Sequence, residues 1–295
     1  MDCGFHCCRG VIAGQALRST EPNAAGIVDG VAGGSGGESA VSDQEFDRTT
    51  VLGKVMMVLH AFTIDDSAVS LAELVRRTSI PKGTLHRVLS DMVAVRMLDR
   101  TDAGYRLGGS LFELGMRASV ERSLLEVAIP FMEDLYVRTH ETVHLGVLDG
   151  TEVVYLSKIG GHRQASAPSR IGGRMPVHCT AIGKVLLAHA ASALREQVLS
   201  APLARYTPRT IILPGPLRTQ LDRIAAEGMA YEYEESATGI VCVAAPVRES
   251  EDVVAAISVT GPSHRFRPDN HTSSVRAAAE EIGATLARRS HLLRN

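Results

Sequence analysis

The chain has 295 residues, 45% hydrophobic and 22% charged, with no Trp and only 4% aromatics. That length suits two ordinary domains of roughly 100–200 residues. The scarcity of aromatics argues against a stacking platform for bases or sugars, and no stretch reaches the roughly 18 apolar residues a membrane span needs. The opening Met1-Asp2-Cys3-Gly4-Phe5-His6 has neither the basic nor the apolar region of a signal peptide. Five cysteines, an odd number, speak against a disulfide framework. Together these features predict a cytoplasmic protein with an aliphatic core and no membrane partner.

The formal charge of −2 is unevenly spread. Residues 1–47 carry two Lys/Arg against seven Asp/Glu, residues 48–108 nine against six, and residues 109–295 twenty of each. Residues 1–47 also hold nine of the 27 glycines, including Gly33-Gly34-Ser35-Gly36-Gly37, and show no periodicity. They read as a disordered tail. Cys3, His6, Cys7 and Cys8 within it match no structural zinc spacing that has a second ligand pair downstream.

The basic segment 48–108 predicts a winged helix-turn-helix. Apolar residues at 51, 52, 55, 58, 59 and 62 follow helical spacing. Asp65-Asp66-Ser67 is a loop. Ser70-Leu71-Ala72-Glu73 is a capping-box signature, with Ser70 as N-cap and Glu73 reaching back. Pro81 suits the first position of a third helix. That helix buries Leu85, Val88, Leu89 and Met92 and turns Lys82, Gly83, Thr84, Arg87 and Ser90 outward, with His86 on a flank. Met97–Arg100 and Tyr105–Leu107 around Thr101-Asp102-Ala103-Gly104 form a hairpin, the wing.

In such a module the third helix enters the major groove of double-stranded DNA. Arg87 suits a guanine edge or a phosphate and Thr84 a phosphate or a thymine methyl, while Arg100 and Arg106 reach adjacent phosphates. A plain three-helix bundle with a solvated face would share the helices. The ordered set of capping box, Pro-initiated polar helix and hairpin favours DNA binding.

Residues 109–122 read as a helical linker and 123–290 as a separate sensing domain. Leu111, Leu114, Leu124, Leu125, Ala128, Met132 and Leu135 predict an apolar helical stripe able to connect domains and dimerise, with Pro130 as a kink. From Thr142 the period becomes two, and Asp149-Gly150 turns into a second strand, Glu152–Ile159. Further strands are predicted at 230–233, 240–246 and 253–260, and helices at 180–189, 193–199, 217–228 and 269–290. The layout is α+β: an antiparallel sheet flanked by helices.

Specific residues then narrow the reading. Arg174-Met175-Pro176-Val177-His178-Cys179-Thr180-Ala181-Ile182-Gly183-Lys184-Val185-Leu186-Leu187-Ala188 resembles the central block of the IclR family of transcriptional regulators. Supporting blocks occur in order: Pro81–Arg87, Thr207-Pro208-Arg209-Thr210, Gly228, Glu234-Glu235 before Gly239, Cys242–Val247 and Ala256–Pro262. The resemblance spans about residues 48–290. It implies a GAF-like effector-binding domain behind the winged helix-turn-helix, a homodimer or homotetramer, a palindromic operator, and a small-molecule effector, often a carboxylate. Both repressors and activators occur in the family. Matching its pattern residue by residue places the effector pocket at Ala181, Glu232, Cys242, Ser258 and Thr260.

Independent chemistry supports that pocket. Ser258 and Thr260 lie two apart on a predicted strand, so both hydroxyls share a face. Gly172-Gly173 and Thr180–Lys184 offer backbone N–H groups at a helix start, a common anion site. Glu232 stands where the family often has Asp; it narrows the pocket or prefers a donor-bearing ligand.

Catalysis is not expected. His178 and Cys179, adjacent in sequence, point apart and make a poor nucleophile–base pair. No G-x-S-x-G, Walker A or Rossmann pattern appears, and no cofactor is expected. One alternative stays open: a metal- or redox-responsive regulator using Cys179 or Cys242, with His144 and His178 as further ligands.

Overall fold

The computed structural model describes residues 47–63, 65–117, 119–160 and 167–294. The acidic tail and its Cys3–Cys8 cluster lie outside these residues, except for Asp47.

Three helices and a hairpin make the first module. Helix α1 (Val51–His60) is capped by Thr50, whose hydroxyl accepts from Gly53 N at 2.9 Å. Helix α2 (Leu71–Thr78) starts at Ser70, whose Oγ accepts from Glu73 N at 3.2 Å. The other half of the expected capping box does not form. The Glu73 carboxylate turns instead to Arg76 (2.8 and 2.6 Å) and Arg77 (2.7 Å), because two guanidiniums on the next turn outbid one amide. Arg77 also donates to Asp66 (2.5 and 3.0 Å) and to the Ala61 carbonyl (2.8 Å), tying α2 to the end of α1.

Helix α3 (Lys82–Ala94) buries Leu85, Val88, Leu89 and Met92. Pro81 is its N-cap, one residue before the expected position. Strands β1 (Leu98–Thr101) and β2 (Gly104–Leu107) pair antiparallel. Val69 bridges to Tyr105 through two backbone bonds of 2.7 and 2.9 Å, which fixes the hairpin to the helices. Gly104 makes this possible: its φ is +140°, and a Cβ there would sit 2.3 Å from the Val69 carbonyl oxygen.

The expected continuous stripe from Leu111 does not occur. Helix α4 (Gly109–Gly115) buries nothing, and Leu114 is half exposed. The buried stripe begins at Leu124, in α5 (Ser119–Thr139), and runs through Val127, Ala128, Met132 and Leu135.

The second module is a six-stranded antiparallel sheet. Its strands are β3 (Thr142–Asp149), β4 (Glu152–Ile159), β5 (Arg174–Pro176), β6 (Ala230–Tyr233), β7 (Ile240–Glu249) and β8 (Asp252–Pro262), in the order β5-β4-β3-β8-β7-β6. Strand β5 was not expected from the pattern; three residues show no period. Strands β7 and β8 run further than predicted, meeting in a tight hairpin at Ser250.

Helices cover both faces. Helix α5 and the last helix, α9 (Thr272–Arg294), pack Met132, Leu135 and Ile282 on Val143, Leu145, Val243 and Val259. On the other face lie α6 (Ala181–His189), α7 (Ser192–Ser200) and α8 (Pro214–Glu227). There Ile182, Val185, Leu217 and Leu221 pack with Tyr155, Ala244 and Ala256. This explains why Thr142 to Gly146 are all buried rather than alternating. Each such aliphatic side chain adds about 1.5–3 kcal/mol of burial. Polar side chains on the α6 face are therefore enclosed, and they form the site.

Candidate effector cavity and DNA-reading face

Two cross-strand rows supply the cavity floor. One runs Glu232–Cys242–Thr260–Thr142 across β6, β7, β8 and β3; the next runs Ala230–Ala244–Ser258–His144. Alternation turns both rows to the α6 face.

The N-terminus of α6 forms the roof. Thr180 caps it, accepting from Gly183 N at 3.1 Å and donating to the Pro176 carbonyl at 3.1 Å. Gly183 is required here, since a Cβ would lie 2.4 Å from Val177 Cα and 2.5 Å from its carbonyl oxygen. With Gly183 N and Lys184 N both bonded to Thr180, the N–H groups of Ala181 and Ile182 remain at the helix start. The other expected N–H source does not serve. Gly172 N donates to Tyr155 O (2.8 Å) and Gly173 N to Arg170 O (2.9 Å), closing a backbone turn.

Between floor and roof lies a cavity of about 20 Å³, room for a water molecule. All five residues singled out in the sequence (Ala181, Glu232, Cys242, Ser258 and Thr260) line it. So does Thr180, expected at the helix start, together with His144, Tyr155, Ser169 and Ser236, which sequence reasoning did not place there. Only the strand pairing puts His144 opposite Ser258. Ser169 comes from a stretch with no periodic signal.

The polar groups are mutually bonded. His144 Nε2 meets Ser169 Oγ at 2.7 Å, its Nδ1 meets Thr260 Oγ1 at 3.3 Å, and Thr260 donates to Cys242 Sγ at 3.1 Å. Burial, with the Lys158 ammonium nearby, drives the His144 pKa down to about 3, so the ring is neutral. The chain then runs one way: Ser169 donates to Nε2, Nδ1–H donates to Thr260, and Thr260 donates to the sulfur. Glu232 Oε1 accepts from Ser236 N (2.9 Å) and Ser236 Oγ (2.5 Å). Burial raises its pKa to about 7, against the pull of those two bonds and of Lys184. Beside the cavity the fully buried Lys184 donates to Glu235 Oε1 at 2.6 Å, and Glu235 Oε2 has no hydrogen-bond partner among the described residues. Burial pushes the Glu235 carboxyl up while Lys184 pulls it down.

The alternative metal or thiol set does not come together among the described residues. His178 Nε2 is bonded to the Ala204 carbonyl at 2.9 Å. Among the described residues no three His, Cys, Asp or Glu side chains are placed to hold a metal ion. Burial pushes the Cys242 thiol to about 12 and that of Cys179 higher still, so both stay protonated and unreactive near neutral pH.

On the first module, Lys82, Gly83, His86, Arg87 and Ser90 are exposed along one side of α3, with Thr84 partly buried. Arg87 has no side-chain partner among the described residues. On the wing, Arg100 lies 5.8 Å over the Tyr105 ring. Arg106 is bonded to Asp99, directly opposite in the hairpin, at 3.0 and 3.1 Å. It is thus already partly neutralised, which its exposure in the sequence pattern could not reveal.

Comparison with known proteins decides the family. Residues 51–102 match the IclR helix-turn-helix domain, and residues 116–284 match the C-terminal domain of bacterial IclR transcriptional regulators. The chain belongs to the IclR family of transcriptional regulators. It is 34% identical over 243 residues to the Escherichia coli regulator XynR, covering 80% of this chain and 94% of that one. It is also 34% identical to KdgR of Dickeya chrysanthemi, covering 81% of each. Among solved structures, an IclR homologue from Microbacterium hydrocarbonoxydans complexed with 4-hydroxybenzoate superposes with a TM-score of 0.77. It has 35% identity and covers 81% of this chain and all of that one. Thermotoga maritima IclR gives 0.66 at 28% identity, covering 80% and 98%. These relatives are transcriptional regulators of the helix-turn-helix type. Among the described residues no helix is long and apolar enough to cross a membrane.

Proposed function

We propose that this IclR-family regulator binds an operator through α3 and the wing, and that a small organic acid in the cavity under α6 controls that binding. Residues 48–108 form the DNA-binding module, 109–122 the linker and 123–290 the effector domain. The working unit is a homodimer or homotetramer in the cytoplasm. Lys82, Thr84, His86, Arg87 and Ser90 face the groove, with Gly83 allowing close approach and Arg100 and Arg106 at the flanking backbone. Ala181, Glu232, Cys242, Ser258 and Thr260 contact the effector.

The observation that carries the effector reading is the cavity itself. Polar side chains this deeply buried are ordinarily silent packing, yet here they converge below a helix N-terminus with two N–H groups to spare. The Microbacterium relative is complexed with 4-hydroxybenzoate, an organic acid. A cavity of about 20 Å³ admits such a molecule only if its lining side chains repack.

The test is a footprint of the full chain on DNA flanking its own gene, repeated with a panel of small organic acids. A palindromic footprint shifted by one acid is expected. A footprint indifferent to every acid overturns the effector class, and failure to select any DNA sequence from genomic fragments overturns the regulator reading.

A further inference from the structure

The cavity wall is unusual in its charge. Among the described lining residues there is no Lys or Arg, and the single carboxyl is Glu232. His144 is neutral, its two nitrogens engaged by Ser169 and Thr260. The buried ammonium of Lys184 is committed to Glu235. Among the described residues a carboxylate entering this space therefore meets no free cation; the positive pole there is the α6 N-terminus, which supplies about half a positive charge.

Glu232 is nevertheless arranged to meet a ligand. It is 3% exposed, and Oε1 takes both bonds from Ser236. Oε2 has no partner among the described residues. Two carboxylates in hydrogen-bond contact in a water-poor site cannot both ionise; one keeps a proton.

We propose that a carboxylate ligand enters this cavity together with one proton, held by Glu232 as a neutral carboxylic acid whose Oε2–H is donated to the ligand. Glu232 thereby sets which acids bind and how binding depends on pH. This rests on the organic-acid reading above. The proton comes from solvent, and no bond to carbon is made or broken.

The surroundings hold Glu232 near the point where this matters. Lys184 from α6 and the Ser236 bonds favour its anion, while burial and Glu235 oppose it, for a balance near 7. The other groups facing it are Cys242 on β7, Tyr155 on β4 and Cys179 before α6, all raised and uncharged, and neutral His144 on β3. At pH 6 Glu232 is mostly protonated and ligand binding takes up little. Above pH 7 each pH unit lowers affinity by about tenfold, because a proton must be fetched.

The experiment is titration calorimetry on the full chain with acetate, pyruvate, benzoate and 4-hydroxybenzoate. It is run at pH 6.0, 7.5 and 8.5 in buffer pairs of different ionisation enthalpy, which count protons. For the acid that binds, the expected result is about a tenfold loss of affinity from pH 7.5 to 8.5. About one proton is taken up at pH 8.5 and close to none at pH 6.0. Glu232→Gln is expected to flatten the pH dependence of whatever affinity remains and to abolish the proton uptake at pH 8.5. An acid bound with flat affinity and no proton uptake overturns the proposal and leaves the effector reading standing. A Glu232→Gln protein that binds and still shows the pH dependence and proton uptake also overturns it, and if that variant binds nothing the proton count on the unaltered chain decides. No binding by any acid at any pH sinks both. If the variant does not fold, the proton count on the unaltered chain decides alone.

Discussion

Replacing Lys184 by Met tests how the effector domain is held together beside the cavity. The ammonium is fully buried and 2.6 Å from Oε1 of Glu235, and the other carboxylate oxygen already lacks a partner among the described residues. Met is one atom shorter but unbranched and of similar volume, so the change chiefly removes a charge rather than opening a large void. What remains is a buried carboxylate with no counter-ion, a loss of about 3–5 kcal/mol. For a domain of this size that is a drop in Tm on the order of 10 °C. The loss depends on pH in a defined direction. Burial already raises the Glu235 carboxyl, and removing Lys184, which pulls it down, raises it further. A carboxyl whose folded pKa lies above its unfolded value costs nothing while protonated in both states. Its cost grows as pH climbs from the unfolded value of 4.5 toward the folded one. Lys184→Met is therefore expected to be mildest near pH 5 and most severe near pH 8. Adding Glu235→Leu is expected to recover much of the stability at pH 8, since an apolar pair replaces the stranded charge. Thermal melts followed by circular dichroism at pH 5 and pH 8 check this. A single variant that melts within 2–3 °C of the parent at pH 8, roughly one kcal/mol, refutes the reasoning. So does a double variant no better than the single.

Three further outcomes follow from the same structure. Arg87→Ala is expected to weaken operator binding by about 1–3 kcal/mol and to flatten its salt dependence, as loss of a base or phosphate contact does; unchanged affinity in a gel-shift titration would place the reading helix elsewhere. Arg106→Ala is expected to weaken binding less than Arg100→Ala, because the Arg106 guanidinium is already shared with Asp99; equal losses would show that this exposed pair opens freely on DNA. Gly183→Ala is expected to cost about 1–3 kcal/mol by overpacking, with its Cβ only 2.4 Å from Val177 Cα. Denaturant midpoints measure that cost, and no change would mean that the α6 N-terminus can slide.

The helices and most strands were legible because each announces itself within a few residues. Ser70 as a cap, the stripe Leu85–Met92 and the alternation from Thr142 are local signals, and local physics decides them. What stayed hidden involves a competitor that the local pattern does not contain. Glu73 is drawn to Arg76 and Arg77 rather than back to its cap. Arg106 meets Asp99 only because the hairpin register places them opposite. Gly172 and Gly173 look like anion donors until Tyr155 and Arg170 claim their N–H groups. Leu114 continues a helical stripe on paper, yet α4 ends before any core reaches it.

The cavity shows the same division more sharply. Period two is enough to put Ser258 and Thr260 on one face, and hairpin proximity is enough to bring β7 alongside β8 with Cys242 opposite Thr260. No local rule joins β3 to β8, so His144 meets Thr260 only across 116 residues of sequence. That long-range pairing changes the chemistry of the site. Without His144, the Ser169 hydroxyl would be a free donor for a carboxylate, and an acid would need less from Glu232. With His144 neutral, Ser169 donates to it while Thr260 donates to Cys242, so both hydroxyl protons are consumed within the wall. Among the described residues, meeting a negative ligand then falls on the α6 N–H groups, the Ser258 and Tyr155 hydroxyls and the proton proposed for Glu232.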